Sequence, residues 1–99
     1  MDSWDAPLEK DIEEYLVRQA RKIKALCYKF TAPGRRSVPD RLLLLPGGRL
    51  CFVECKRPGG KPTPLQQKEH AKLRERGFRV YLVDTWAEVD RVIALEGGG

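Results

Sequence analysis

The stretch Val38-Pro39-Asp40-Arg41-Leu42-Leu43-Leu44-Leu45-Pro46-Gly47-Gly48-Arg49-Leu50-Cys51-Phe52-Val53-Glu54-Cys55-Lys56 decides how this chain folds. Two apolar runs, 41–45 and 50–53, flank Pro46-Gly47-Gly48, and that composition predicts a β-hairpin. Both runs are apolar at nearly every position rather than at alternate ones. Strands of this kind are buried on both faces, so helices are expected on each side of the sheet. Asp40 opens the first strand, and Glu54 and Lys56 close the second. Residues two apart on a strand share a face, so Glu54 and Lys56 project together and Cys55 points the other way.

Loop length sets what Asp40 meets. A three-residue loop places Leu45 opposite Arg49 and, counting back, Asp40 opposite Glu54, with Cβ atoms about 5 Å apart. A two- or four-residue loop opposes Asp40 to Cys55 instead. Gly48 suits the left-handed position of a three-residue loop. Two carboxylates so close repel each other, which is costly in an apolar strand pair unless a cation lies between them. Hard oxygen ligands favour Mg²⁺ or Mn²⁺. Lys56 could then orient or help deprotonate a water, or offset charge developing on a phosphate. The competing reading is a Glu54–Lys56 surface pair at a fraying strand end.

Outward from the hairpin, Leu8, Ile12, Tyr15, Leu16, Gln19, Ile23 and Leu26 recur at the helical period. Pro7 fits the first turn, and Ser3 or Asp5 could cap it. Residues 27–30 read as a short strand and 31–37 as a loop. After the hairpin, 56–62 is a loop. Thr63 is a good N-cap, Pro64 suits the first helical position, and Gly77 should end a helix running to about Arg76. Residues 79–83 read as a strand, and Thr85 caps a last helix. The order is α-β-β-β-α-β-α, an α/β fold with a mixed sheet between helices. The whole chain, 1–99, reads as one domain with its core over about 8–94 and a flexible 97–99 tail. Glu9 and Glu13 lie four apart on one face of the first helix, so either could reach the sheet end. Gln66 and His70 share an inward stripe of the second helix. A buried Gln needs partners, and His70 could be a base or a hydrogen-bonded core-edge residue.

Composition bounds the function. The chain is 41% hydrophobic and 33% charged, which is too apolar for disorder. No apolar run reaches the roughly 20 residues a membrane-spanning helix needs, so no membrane partner is expected. The acidic, polar Met1-Asp2-Ser3-Trp4-Asp5 reads as neither signal nor transit peptide, and a cytoplasmic location in a bacterial or phage-infected cell is expected. Cys27, Cys51 and Cys55 are odd in number and read as free thiols; with His70 they match no common zinc spacing. The net charge of +5 is uneven: residues 35–76 hold eleven basic and four acidic side chains, a balance of +7. Such a segment suits a polyanion, nucleic acid first.

Val38-Pro39-Asp40 followed by Phe52-Val53-Glu54-Cys55-Lys56 resembles the PD-(D/E)xK nuclease signature. The wider string adds Tyr28-Lys29-Phe30, Gly34-Arg35-Arg36, Leu45-Pro46-Gly47-Gly48, Arg57-Pro58-Gly59-Gly60 and Thr63-Pro64-Leu65-Gln66. It is similar to the stand-alone, virus-type VRR-NUC family over roughly residues 8–94. The resemblance implies a restriction-endonuclease-like αβββαβ core and a metal-dependent nuclease. It implies Asp40, Glu54 and the Cys55 backbone carbonyl as metal ligands and Lys56 as the catalytic lysine. Glu9 matches the acidic position of the first helix best, with Glu13 its rival, and Gln66 matches the glutamine after the ExK strand. Similar junction resolvases work as homodimers, with Trp4, Tyr28 and the Trp86 helix as candidate contacts here. The chain departs from some larger relatives at Glu69, where they carry an aromatic residue.

The expectation is therefore a Mg²⁺- or Mn²⁺-dependent endonuclease on branched DNA, with no small-molecule cofactor. Arg35, Arg36, Arg57 and Lys61 would hold the phosphate backbone from the flanking loops. The alternatives are a non-catalytic basic module, a small scaffold whose dimer face is its purpose, and a nuclease that nicks flaps or plain duplex.

Overall fold

Helix α1 (Glu9–Lys22) leads into strand β1 (Leu26–Lys29); then come β2 (Arg41–Leu45), β3 (Arg49–Cys55), α2 (Pro64–Glu75), β4 (Arg79–Val83) and α3 (Trp86–Gly97). The computed structural model describes residues 6–98. The order agrees with the α-β-β-β-α-β-α reading. One sheet runs β1-β2-β3-β4, antiparallel through the first three strands and parallel between β3 and β4.

The hairpin has the three-residue loop. Leu45 pairs with Arg49 and Arg41 with Val53, so one further step sets Asp40 opposite Glu54. The turn is tight because Gly47 and Gly48 both take positive φ, +82° and +76°, a conformation that side chains resist. Odd-numbered β3 residues Cys51, Val53 and Cys55 enter a core with Ile12, Leu16 and Ala20 of α1 and Val89 and Val92 of α3. Even-numbered residues face α2: Phe52 meets Phe30 and Phe78, and Glu54 meets Gln66 and His70. Both faces of β3 are thus covered, and Cys51 through Cys55 are all buried.

Helix boundaries follow local chemistry, with three departures from expectation. Ser3 and Asp5, expected as caps of α1, lie outside the described residues, as does Trp4; the cap position is Leu8, whose N–H donates to Asp11 Oδ2 at 2.8 Å. α1 stops before Ile23 and Leu26, which the apolar period had included. Lys24 turns left-handed at φ 61°, Ala25 N–H bonds Ala20 O, and Lys24 N–H bonds Arg21 O. That is the Schellman closure, here built on lysine rather than glycine. The expected 97–99 tail begins later than read: α3 runs through Gly97, where an added Cβ would collide with Ile23 Cγ2, and Gly99 lies outside the described residues. Glycine lets the end of α3 close on the end of α1. By contrast α2 begins and ends as read, capped by Thr63 and closed at Gly77, φ 90°.

All three helices start at one end of the sheet. Glu13 of α1 reaches Arg41, Gln66 of α2 reaches Glu54, and α3 begins just after β4 ends beside Cys55. At the other end Glu96 gathers Arg49, Arg79 and Tyr81.

Candidate active site

The shared helix-start end carries the expected constellation. Phe30 N–H donates to Asp40 O at 2.9 Å, closing the 31–39 loop and fixing Asp40 at the mouth of β2. The Asp40 carboxylate turns inward, and its Oδ2 accepts the Cys55 N–H at 2.8 Å. A strand residue's N–H and C=O point to the same side, so the Cys55 carbonyl also faces Asp40. The Cys55 thiol lies in the core on the opposite face, and burial pushes its ionisation far up, so it is inert.

Glu54 is 1% exposed. Its Oε2 accepts from Gln66 Nε2 at 3.2 Å and lies 3.6 Å from Lys56 Nζ. Period-two spacing on β3 brings Glu54 and Lys56 together, as expected. Gln66 arrives by a different device. It is the third helical residue after the Thr63 cap, and the two form a capping box: Gln66 N–H bonds Thr63 Oγ1 and Gln66 Oε1 takes Thr63 N–H. With its oxygen committed, the amide presents only Nε2 to Glu54.

Burial is the main cause that raises the Asp40 carboxyl, to about 6; the Cys55 N–H partly offsets it, and the neighbouring Glu54 and Glu13 carboxylates raise it further. Two acidic groups share a desolvated spot, and Glu54 Oε1 is buried there without a hydrogen-bond partner among the described residues. These are the marks of a place that suits a cation. Among the described residues no three His, Cys, Asp or Glu side chains converge as ligands. Two carboxylates and a carbonyl would leave the rest of a coordination shell to water and phosphate oxygens, the usual habit of Mg²⁺.

The first-helix acid and the basic loops are placed less simply. Glu9 is exposed at the start of α1. Glu13 is the one whose charge reaches Asp40, yet its Oε2 is held by Arg41 Nε at 2.6 Å, with Lys29 Nζ at 3.7 Å. Arg36, Arg57 and Lys61 are exposed in the loops beside the site. Arg35 is half-exposed but bonds Glu69 Oε1 at 2.6 Å, tying the 31–39 loop to α2. That pair accounts for a carboxylate at position 69. The turn from Arg57 to Gly60 closes through Gly60 N–H on Arg57 O, and Gly59 N–H donates to Asp84 Oδ2 at 3.0 Å. Sequence reasoning missed Asp84, Arg41 and the Glu69 pair. Nothing local signals them, because each partner is at least 25 residues away.

Known proteins resemble this chain over most of its length. Putative nuclease p44 of Acyrthosiphon pisum secondary endosymbiont phage 1 is 54% identical over 77 residues, spanning 78% of this chain and 83% of the phage protein. A solved structure described as a VRR_NUC domain matches with a TM-score of 0.81 and 35% identity, covering 86% of this chain and 92% of that one. No protein-family profile matches. At that identity and coverage, with the hairpin and its acidic strand end in place, the chain belongs to the VRR-NUC nuclease family.

Proposed function

We propose that this nuclease is a metal-dependent, structure-selective DNA endonuclease that resolves four-way junctions as a homodimer. The observation that carries the reading is the single cluster of Asp40, Glu54, Lys56 and Gln66 at one sheet end, flanked by basic loops. Asp40, Glu54 and the Cys55 carbonyl hold Mg²⁺ or Mn²⁺. When bound, the ion polarises a phosphoryl oxygen and lowers the pKa of the attacking water. Lys56, largely buried beside Glu54, sets its ammonium where charge develops on the phosphate. Gln66 keeps the Glu54 carboxylate from turning away. Arg36, Arg57 and Lys61 hold the flanking phosphates; they read charge and shape, not base identity.

The homodimer reading rests on β1, an edge strand with Leu26 and Tyr28 each about half exposed on its α2 side. An apolar strand edge of this kind is a surface that a second copy can cover. A two-fold dimer would present two sites to opposing strands of a junction.

The test is cleavage of a labelled four-way junction beside a matched linear duplex, with Mg²⁺, Mn²⁺ or EDTA. Symmetric, metal-dependent cuts confined to the junction support the proposal, and sedimentation of the protein as a dimer supports its geometry. Cuts in both substrates keep the nuclease and remove the junction preference. Cutting in EDTA, or parent-rate cutting by Asp40→Asn, overturns the metal site, and parent-rate cutting by Lys56→Ala overturns the role given to that lysine.

A further inference from the structure

His70 lies one helical turn after Gln66, so both project from the same face of α2 onto Glu54. It is 3% exposed, and its Nε2 stands 3.5 Å from Glu54 Oε1. These are the two buried side-chain polar atoms among the described residues with no hydrogen-bond partner, and they face each other. The close contacts of Glu54 with Gln66 and Lys56 are both on Oε2. A donor and an acceptor left buried and unpaired are both costly, so a fold rarely keeps the two without a use. The 3.5 Å separation exceeds the usual N–H···O distance of about 2.9 Å by about 0.6 Å. A small rotation of either side chain closes it.

We propose that His70 is a positioning residue for Glu54. Donating from Nε2, it holds Glu54 Oε1 from the α2 side while Gln66 holds Oε2. The carboxylate is then gripped at both oxygens, in the orientation in which it would hold a divalent cation together with Asp40. Partners of this kind around metal-binding carboxylates typically contribute about 10–100-fold in metal affinity. The role is positional: His70 touches neither the reacting phosphate nor the ion, and it acts through Glu54. The inference rests on the metal-site reading above.

The measurement is calorimetric titration of the full chain with Mn²⁺ alone, without DNA, alongside far-UV circular dichroism. His70→Leu removes the donor, and His70→Gln restores an N–H near the Nε2 position. We expect His70→Leu to bind Mn²⁺ about tenfold or more weakly and His70→Gln to recover most of the loss. Both should keep the parent's secondary structure. Equal affinities for parent, Leu and Gln variants overturn the proposal while leaving the metal site standing, provided that Asp40→Asn abolishes binding. If the parent itself takes up no Mn²⁺, the metal site falls and this inference with it. If His70→Leu does not fold, His70→Phe serves as the donor-free variant, and affinity equal to that of His70→Gln overturns the proposal.

Discussion

Two glutamates are buried to nearly the same degree at opposite ends of this domain, Glu54 at 1% exposed and Glu96 at 2%, and they are handled in opposite ways. Glu96 accepts four hydrogen bonds on its two oxygens: one from Arg49, two from Arg79 and one from the Tyr81 hydroxyl. Burial pushes its carboxyl up, but the bonds from Arg79 and Tyr81 and the two guanidinium charges outweigh that and hold it below its ordinary range. The same network pushes the Tyr81 hydroxyl up to about 12, through burial first and then Glu96. Glu54 instead meets its nearest donors at 3.2 to 3.6 Å and keeps one oxygen unbonded. A second carboxylate sits beside it rather than an arginine pair. A buried carboxylate with its partners complete is architecture. One with its partners incomplete, next to another acid, is what the proposed metal site asks for.

The largest expected effect breaks this comparison most directly. Glu54→Gln should cut single-turnover cleavage in Mg²⁺ by about a hundredfold or more and leave the melting temperature near the parent's. Glu96→Gln should do the reverse: urea unfolding should report a loss of about 2–3 kcal/mol while the cleavage rate at 25 °C holds. The loss is kept moderate because Arg49 and Arg79, 38% and 43% exposed, can return to water. If Glu96→Gln lost cleavage without losing stability, the division into a working end and an anchoring end would be wrong.

Gly97→Ala tests the anchoring end by shape rather than charge. The new methyl meets Ile23, and the same urea experiment should show about 1–3 kcal/mol of destabilisation.

A smaller effect should appear with pH at the working end. The folded Asp40 carboxyl titrates near 6, above the roughly 3.9 of an unfolded aspartate. The folded state therefore binds this proton more tightly, and ionisation costs stability. The cost is absent below the unfolded value and complete above about 6. Melting curves in EDTA from pH 4 to 7 should fall more steeply for the parent than for Asp40→Asn; parallel curves would remove the strain assigned to this site. Least affected should be Arg35→Ala, worth at most about 1 kcal/mol, since one partner is half-exposed. The Arg35 bond leads in holding the Glu69 carboxyl below its ordinary value. The difference from the parent should therefore fade as acid protonates Glu69, as thermal melts below pH 4.5 would show.

What could be read in advance follows the same division. The strand register was legible because three residues, Pro46-Gly47-Gly48, dictate it, and α2 was legible because Thr63-Pro64 and Gly77 mark its ends. The working end depends on that register and on period-two spacing, both local. The anchor is nonlocal: residues 49, 79, 81 and 96 come from three elements, and no spacing hints that they meet. Glu9 against Glu13 could not be settled because both lie on one helical face, and only the helix's depth along the sheet separates them. The end of α1 was hidden because a lysine, not a glycine, takes the left-handed turn. His70 was visible as a neighbour of Gln66, but its meeting with Glu54 needed the packing of α2 on β3.

The common starting end of the three helices has a consequence for the charge at the acidic strand end. Each helix carries roughly half a positive charge at its N-terminus and half a negative one at its C-terminus. With α1, α2 and α3 all beginning where Asp40 and Glu54 sit, these backbone dipoles add rather than cancel, and the basic loops reinforce them. The effect is local: Arg21, Lys22, Lys72 and Arg74 place full positive charges at the far ends of α1 and α2, so the helix starts act only at close range, where they offset part of the repulsion between the two carboxylates. No single side-chain substitution removes this offset, because the peptide backbone carries it.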